Sequence, residues 1–130
     1  MITASFLVKN LRLDWRLGEQ WFWDTLVDAD PANNPAQWQW VAGSGADAAP
    51  YFRVFNPVSQ ARKFDPDGDY VRRWVPELAG ATGTTLFEPW TASGDLVAAA
   101  EGTPDGYPSP IVDLAASRRE ALDEYARMRG

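Results

Sequence analysis

The apolar residues in the first part of the chain recur mostly at helical spacing. Residues 2–9 form an apolar-rich stretch that fits a helix, with a buried strand left open over so few residues. Asp14 can cap a second helix that begins at Trp15. The apolar positions that follow at helical spacing are Leu17, Trp21, Phe22, Leu26 and Val27.

Residues 28–31 combine a signal that ends the second helix with a signal that begins a third one. The sequence Asp-Ala-Asp at 28–30 precedes Pro31, and a residue before proline is biased away from the α region, so the second helix should end here. Pro31 suits the first turn of a third helix, predicted over 31–42, in which Pro35 is still tolerated. Residues 43–50, rich in Gly, Ala and Ser, predict a loop.

The second half of the chain alternates short helices with irregular segments. Asn56-Pro57 begins a helix that runs to Phe64, residues 65–68 form a turn, and 69–78 form a short helix. Residues 79–112 have little periodicity, whereas 113–128 give a clear last helix capped by Asp113. In the 69–78 helix the predicted inward residues are Val71, Trp74 and Val75, and the outward ones are Arg72 and Arg73.

These patterns predict an all-α fold with long irregular connections. The chain has 130 residues, which suffices for one modest domain, and 45% of them are apolar, enough for a core. No apolar run approaches the length of a membrane span, and the first residues do not resemble a secretory signal. The spacing of apolar residues establishes nothing finer than this fold class.

Composition excludes several kinds of chemistry. The chain has no cysteine and no histidine, which rules out within it a disulfide framework, a Ser-His-Asp or Cys-His site and a histidine-based metal site. We therefore expect no metal and a cytoplasmic location, and any catalysis should depend on a cofactor. The net charge of −6 argues against nonspecific nucleic-acid binding by the chain as a whole, although a local basic face remains open.

Tryptophan is unusually abundant. Seven Trp and six Phe residues cannot all be covered in a short chain with a long irregular stretch, so we expect exposed apolar surface. Each large aromatic side chain left in water forfeits about 1.5–3 kcal/mol of burial. The expected result is marginal stability or association. Core packing explains any one tryptophan, but their number suggests stacking or electron transfer.

The segment from Trp38 to Pro57 closely resembles the signature segment of the DNA photolyase/cryptochrome family. Further similar stretches, in the family's order, are Leu13-Asp14-Trp15-Arg16, Asp28-Ala29-Asp30 with Asn33-Asn34, Lys63-Phe64-Asp65, Trp74-Val75-Pro76-Glu77-Leu78, Glu88-Pro89-Trp90 and Tyr107-Pro108-Ser109-Pro110-Ile111-Val112. The resemblance covers essentially the whole chain. It implies that residues 1–130 are the C-terminal part of the helical FAD-binding domain of a bacterial member, without the antenna domain and the first part of the FAD domain.

The resemblance also implies an activity. In the family, reduced FAD absorbs light and passes an electron to a cyclobutane pyrimidine dimer that is flipped out of UV-damaged DNA, as enzymes acting on bases generally require. The implied cofactor is FAD, and the implied partners are that DNA and the N-terminal part of the photolyase. An antenna pigment is expected in full-length members but not on this segment. A cryptochrome-type blue-light receptor, or a truncated segment inactive alone, remains an alternative.

Site residues follow from the same resemblance. Trp15 and Trp38 match two members of the chain of tryptophans that carries electrons to the flavin, with core packing as the alternative. Asp28, Ala29 and Asp30 match the turn that contacts the flavin. A capped turn between two helices would account for these three residues equally well.

Four further residues complete the implied site. Asn34 matches the position that faces flavin N5, and asparagine there is typical of photolyases. Trp40 and Gln60 match residues beside the dimer and on the DNA, while plain packing and an exposed amide remain open for them. Met1, the third residue expected to contact the substrate, matches a methionine of cyclobutane-dimer enzymes. Residues that could add local phosphate contacts, or simply form a solvated basic edge, are Arg53, Arg62 and Lys63.

Overall fold

The computed structural model describes residues 1–47, 52–91 and 107–129, and every regular element in these ranges is helical. The all-α prediction is therefore confirmed. The chain divides into two compact units, one of Met1–Asn56 with Val112–Gly130 and the other of Pro57–Ile111. None of the helices in the described ranges is long and apolar enough to cross a membrane.

The first unit begins with helix α1, Ile2–Ser5, which continues as a π-helical turn over Phe6–Asn10. The helical prediction for residues 2–9 is confirmed, and the strand alternative is wrong. The π-helical turn buries Lys9 and Asn10, and the Lys9 ammonium group and the Asn10 Nδ2 group donate hydrogen bonds to partners elsewhere in the unit. Asn10 Nδ2 donates to Ser117 Oγ at 2.8 Å, which ties this turn to the last helix.

Helix α2, Trp15–Thr25, begins where the sequence predicts. The Asp14 carboxylate accepts a hydrogen bond of 2.9 Å from the Arg16 main-chain N–H, as a helix cap should. The helix ends three residues before the predicted stop. Leu26 has extended backbone (φ −90°, ψ 130°) and Val27 is fully exposed, so their place in the helical pattern was wrong. The β-branched Thr25 is a poor residue to carry a helix further.

Helix α3, Asn33–Ala42, begins two residues later than predicted. The Asp30 carboxylate accepts hydrogen bonds from the main-chain N–H groups of Ala32 (3.0 Å) and Asn33 (2.6 Å), so it satisfies donors just before the helix. Pro31 consequently precedes the helix instead of lying in its first turn. The helix ends at Gly43, whose left-handed backbone (φ 76°) suits glycine.

The core of the first unit lies where α1, α2 and α3 meet. Trp38 is its largest buried side chain, and the edge of its ring meets Phe22, with centroids 5.0 Å apart and an interplanar angle of 78°. The fully buried apolar residues of this cluster are Ala4, Trp38 and Val41, and those packed around it are Leu7, Val8, Trp15, Phe22 and Trp40.

The last helix, α7, spans Leu114–Arg129 and confirms the prediction for 113–128. The Asp113 carboxylate accepts a hydrogen bond of 2.7 Å from a main-chain N–H in its first turn. Arg12 pairs with Glu120 at 2.7 Å and with Glu124 at 3.0 Å. α7 is thereby held against the turn that follows the first helix.

The second unit consists of short helices. The Asp65 carboxylate accepts hydrogen bonds from the main-chain N–H groups of Tyr70 (3.1 Å) and Val71 (3.0 Å), and so caps helix α5 (Asp69–Trp74). Leu78 and Leu86 form its buried apolar centre. The elements are α4 (Pro57–Phe64), α5 (Asp69–Trp74), a 3₁₀ turn (Pro76–Leu78), α6 (Thr84–Phe87) and a second 3₁₀ turn (Pro89–Thr91).

The predicted helix over 69–78 is divided in this structure. Val75 leaves the helical conformation because it precedes Pro76, and the chain continues as the 3₁₀ turn. Trp74 was expected to point inward but is 61% exposed. Arg72 was expected to point outward but is half-buried, donating to the main-chain oxygens of Asp67 and Ala81.

Some predictions lie partly outside the described residues. The loop predicted over 43–50 is described only to residue 47, where it forms turns as expected. The irregular segment predicted over 79–112 is described to residue 91 and again from residue 107, and its described part includes the short helix α6.

Large apolar side chains are exposed in both units. Trp21 is 66% exposed on α2, and Tyr70 and Trp74 lie one turn apart on α5 with ring centroids 6.3 Å apart. The expectation of exposed apolar surface is therefore confirmed. Other large apolar residues with more than half of their surface exposed are Met1, Leu17, Val27, Phe64, Ile111 and Met128.

Candidate functional site

A cavity of about 230 Å³ opens in the first unit beside the α2–α3 connection. The connection supplies its acidic edge, α3 supplies one wall, and the beginning of the chain supplies another. The residues of this lining that matter for the site are Met1, Phe22, Asp28, Ala29, Asp30, Asn34 and Trp38. Six of these seven were candidates from the sequence, and the structure brings these six together.

The acidic edge of the cavity combines two roles. Hydrogen bonds from the main-chain N–H groups of Asn33 and Ala32 lower the pKa of the Asp30 carboxyl group, so this group stays ionised while it caps the turn. Asp28 is exposed at the same edge. The capped-turn interpretation is therefore correct for Asp30, and it is compatible with a place in a binding site.

Asn34 has a fixed amide orientation on the α3 wall. Its Nδ2 donates to the Glu19 main-chain oxygen at 3.0 Å and to Glu19 Oε1 at 3.1 Å. Both amide hydrogens are then engaged by α2, and Oδ1 remains to accept a hydrogen bond. Because Asn34 also lines the cavity, the arrangement suits a ligand that carries an N–H donor.

Sequence reasoning missed Glu19. The helical period held the signal, because Glu19 lies four residues after Trp15 and three before Phe22, on the stripe of α2 that packs inward. A carboxylate on such a stripe needs a partner, and Asn34 provides one. No short motif marks the pair, since its members are fifteen positions apart.

The two candidate electron carriers have different surroundings. Trp38 is buried in the core and lines the cavity. Trp15 packs against the same core cluster but does not line the cavity. Trp15 is half-buried, and the Arg16 guanidinium lies 4.9 Å from its ring centroid. Core packing thus describes both residues geometrically, and it leaves their part in electron transfer a prediction.

A second hollow of about 410 Å³ also adjoins α3. Trp40 and Gln37 come from the helix, Asp47 comes from the turn after it, and Met1 lines this hollow as well as the cavity. Met1 and Trp40, two of the three residues expected to contact the substrate or DNA, therefore line the same hollow.

The remaining candidates for DNA contacts are spread over both units. Gln60 is half-buried on α4 in the second unit. Arg62, on the same helix, forms an ion pair with Glu88, which lowers its availability for a phosphate. Lys63 is exposed, and its Nζ lies 5.1 Å from the ring centroid of Phe64. Arg53 is exposed in the first unit.

Within the described ranges, His, Cys, Asp and Glu residues form no group of three or more that could hold a metal ion. The polar and aromatic groups that line the cavity are the carboxylates of Asp28 and Asp30, three side-chain amides (Asn33, Asn34 and Gln37) and the rings of Phe22 and Trp38. Side chains of these kinds suit the binding of a planar polar ligand, and the lining contains neither cysteine nor histidine.

Comparisons with known proteins identify the family of the chain. A family model, the FAD binding domain of DNA photolyase, matches residues 1–127. The chain is 57% identical to a deoxyribodipyrimidine photo-lyase of Agrobacterium fabrum, covering 99% of this chain and 27% of that protein. It is 47% identical to the Escherichia coli protein of the same name, covering 99% of this chain and 26% of that protein.

Solved structures give the same result. A cryptochrome from Synechocystis superposes with a TM-score of 0.81 at 38% identity, over 92% of this chain and 25% of that one. An archaeal photolyase from Sulfolobus tokodaii, solved with two FAD molecules, superposes with a TM-score of 0.77 at 40% identity, over 95% and 26%. The chain spans about a quarter of the length of these relatives. It belongs to the family of the FAD-binding domain of DNA photolyase.

Proposed function

We propose that this chain is the C-terminal part of the FAD-binding domain of a bacterial photolyase that repairs cyclobutane pyrimidine dimers. The observation that carries the proposal is the cavity, which gathers Asp28, Ala29, Asp30, Asn34 and Trp38 from two separate stretches of sequence. These are the residues that the family resemblance assigns to the flavin and to electron transfer. The rest of the photolyase would supply the antenna domain and the first part of the FAD domain.

The residues of the cavity fit the ring end of FAD. Phe22 and Trp38 offer aromatic surface to a flat ring system, and Asn34 Oδ1 offers an acceptor to its polar edge. A volume of about 230 Å³ accommodates only part of so large a cofactor. We therefore assign the adenine and phosphate groups to parts of the photolyase outside the matched quarter.

Reduced FAD, when bound and excited by light, supplies the electron that splits the dimer. The chain's own residues bind and orient the participants. Asn34, fixed by Glu19, would hold the flavin edge by one hydrogen bond, and Trp38 and Trp15 would deliver electrons that keep the flavin reduced. Met1 and Trp40 would form an apolar wall for the extruded dimer in the second hollow.

The proposed partners, UV-damaged DNA and the rest of the photolyase, follow from the family resemblance. The net charge of −6 disfavours nonspecific attraction of a phosphate backbone by the segment as a whole. UV-damaged DNA would therefore be held mainly by basic residues elsewhere in the photolyase, with Gln60 adding a local contact. We place the protein in the cytoplasm, where the absence of cysteine is unremarkable.

A cryptochrome-type blue-light receptor is the second candidate. The superposition on the Synechocystis cryptochrome supports it, because helical domains of this kind occur in both classes. By the family resemblance, Asn34 favours repair over signalling. A protein that binds flavin and responds to blue light without splitting dimers would establish the receptor.

The deciding experiment pairs flavin binding with repair. The chain is purified alone and after co-expression with the complementary three quarters of the Agrobacterium protein, and flavin absorbance is recorded. Each sample is then given an oligonucleotide with one thymine dimer, under blue light and in the dark. We expect light-dependent repair in the co-expressed sample. Flavin that is retained without repair would contradict the photolyase assignment, and absence of flavin from both samples would contradict the whole proposal.

A further inference from the structure

Gly18 lies in the interior of α2, where glycine costs about 0.5–1 kcal/mol relative to alanine. It is the buried residue of that helix. A glycine inside a helix is usually explained by close packing of a neighbouring group against it. The reason is the ring of Trp38, which lies directly against the α2 backbone at this position.

The fit between Gly18 and Trp38 leaves no room for a side chain. A Cβ atom added at Gly18 would lie 2.3 Å from Cη2, 2.4 Å from Cζ3 and 3.0 Å from Cζ2 of Trp38. Ordinary contacts of a Cβ atom begin near 3.4 Å. Even an alanine would therefore require the six-membered ring to move by about 1 Å, in an interior packed as densely as an organic crystal.

The directions in which Trp38 can move are restricted. Phe22 holds the ring by an edge contact with centroids 5.0 Å apart, and Ala4 and Val41 belong to the same buried cluster. The open space next to the ring is the cavity, which Trp38 itself lines. A side chain at position 18 would consequently displace the indole into the space proposed for the flavin.

We propose that Gly18 is a positioning residue that sets where the Trp38 indole lies relative to the flavin cavity. The inference rests on the proposed function, in which one electron leaves Trp38 and enters the photoexcited flavin. An added thiol then returns an electron to the tryptophan chain. Gly18 takes no part in the transfer and acts only through the position of Trp38.

The contact itself is tested by a double-mutant cycle on the unloaded chain. Gly18→Ala, Trp38→Phe and the double variant are unfolded in urea, and their near-ultraviolet circular dichroism is recorded. We expect Gly18→Ala to lower the unfolding midpoint, although alanine favours helices. In the Trp38→Phe background the same change should lower it less, because phenylalanine lacks the indole atoms that meet the new methyl group.

Gly80→Ala is the matched control for this cycle. A Cβ atom at Gly80 would meet nothing within 4 Å, and its φ is not positive. We expect an unchanged midpoint and an unchanged tryptophan signal. The inference would be overturned if Gly18→Ala lowered the unfolding midpoint equally in the wild-type and Trp38→Phe backgrounds. It would also be overturned if the near-ultraviolet circular dichroism spectrum of Gly18→Ala were unaltered.

The positional role is tested by comparing two rates in the flavin-loaded protein. Light-driven flavin reduction with a thiol uses Trp38, whereas dimer repair after chemical reduction of the flavin bypasses it. We expect Gly18→Ala to slow the first rate several-fold per bound flavin and to spare the second. A proportional fall in both rates would indicate a merely structural glycine and overturn the inference.

Failure of the proposed function gives a different result. If Trp38→Phe leaves light-driven flavin reduction unchanged, Trp38 is no electron carrier and the inference fails together with that part of the proposal. If the protein retains no flavin at all, the proposed function is refuted. The cycle on the unloaded chain then still decides whether Gly18 determines the position of Trp38.

Discussion

Lys9 makes the stability of this chain depend on pH in an unusual direction. Its side chain is only 6% exposed, in the π-helical turn after α1. Its Nζ donates to the Arg53 main-chain oxygen at 2.5 Å and lies 4.2 Å from the ring centroid of Phe52. Both partners are neutral. Burial therefore lowers the pKa of the ammonium group from 10.5 to about 8.

The sign of the effect follows from proton counts. Between the folded pKa of about 8 and the unfolded value of 10.5, the unfolded chain binds more protons, so the free energy of unfolding rises with pH. The penalty of burying the charge is fully present below pH 8 and disappears above 10.5. At about 1.4 kcal/mol per pKa unit, the total is at most about 3–4 kcal/mol. The contacts with Arg53 and Phe52 favour the charged form of Lys9 and therefore reduce this penalty.

The assay compares the wild-type chain with Lys9→Met, which keeps an unbranched apolar stem and removes the charge. Free energies of unfolding in urea are measured from about pH 7 to about pH 10. We expect the wild type to gain stability relative to Lys9→Met across this range, by about 1–3 kcal/mol. Taking the difference cancels the titration of tyrosines and of the chain terminus.

Lys63→Met serves as the control, because it removes the other lysine from an exposed position on α4. Parallel pH profiles of the wild type and Lys9→Met would refute the reasoning. They would mean that hydrogen bonding to the Arg53 carbonyl and the Phe52 ring compensates the burial of the charge completely.

Four further outcomes test the helix ends and the cavity wall. Asp14→Ala removes the cap of α2 and should cost about 1 kcal/mol in urea unfolding. Ser117→Ala leaves Asn10 Nδ2 buried without its partner and should cost about 1–3 kcal/mol by the same measurement. Main-chain N–H groups of α7, that of Ala116 foremost, lower the pKa of Asp113, so its stabilisation is present above about pH 4 and lost on acidification. Circular dichroism should show less loss of helix on acidification in Asp113→Asn than in the wild type. Glu19→Ala should release the Asn34 amide and weaken flavin retention measured by absorbance, whereas the adjacent, exposed Gln20→Ala should not.

Local signals in the sequence predicted the beginnings of helices well. Asp14 and Asp113 mark the starts of α2 and α7 because a cap depends on a carboxylate and main-chain N–H groups within three residues. The positions of prolines predicted the helix boundaries less well. Pro31 precedes α3 because Asp30 binds the first N–H groups itself, and Pro76 divides the helix predicted over 69–78.

Side-chain burial was harder to predict because it depends on contacts distant in sequence. Trp74 is apolar and in phase with Val71, yet it is 61% exposed. Arg72 is drawn inward by the carbonyl groups of Asp67 and Ala81, and no helical pattern reveals these.

In the candidate site too, residues in local motifs could be predicted, whereas residues defined by contacts between helices could not. Asp28 to Asp30, Asn34 and Trp38 could be named because they lie in recognisable stretches. Glu19 and Gly18 could not, because their importance lies in a pair of helices that meet at Trp38 and Asn34. A family motif records which residues recur, whereas the contacts between α2 and α3 explain why they fit.

The graded exposure of the tryptophans gives the chain built-in fluorescent reporters. Trp38 is 2% exposed, whereas Trp21 and Trp74 are 66% and 61% exposed. The excited indole relaxes in water, so the exposed rings emit at longer wavelength and are open to collisional quenchers, while Trp38 is shielded. Any molecule that covers α2 or α5 will shift that emission to shorter wavelength without an added label. The exposed tryptophans of α2 and α5 thus report, by their fluorescence, the binding of any partner that covers these helices.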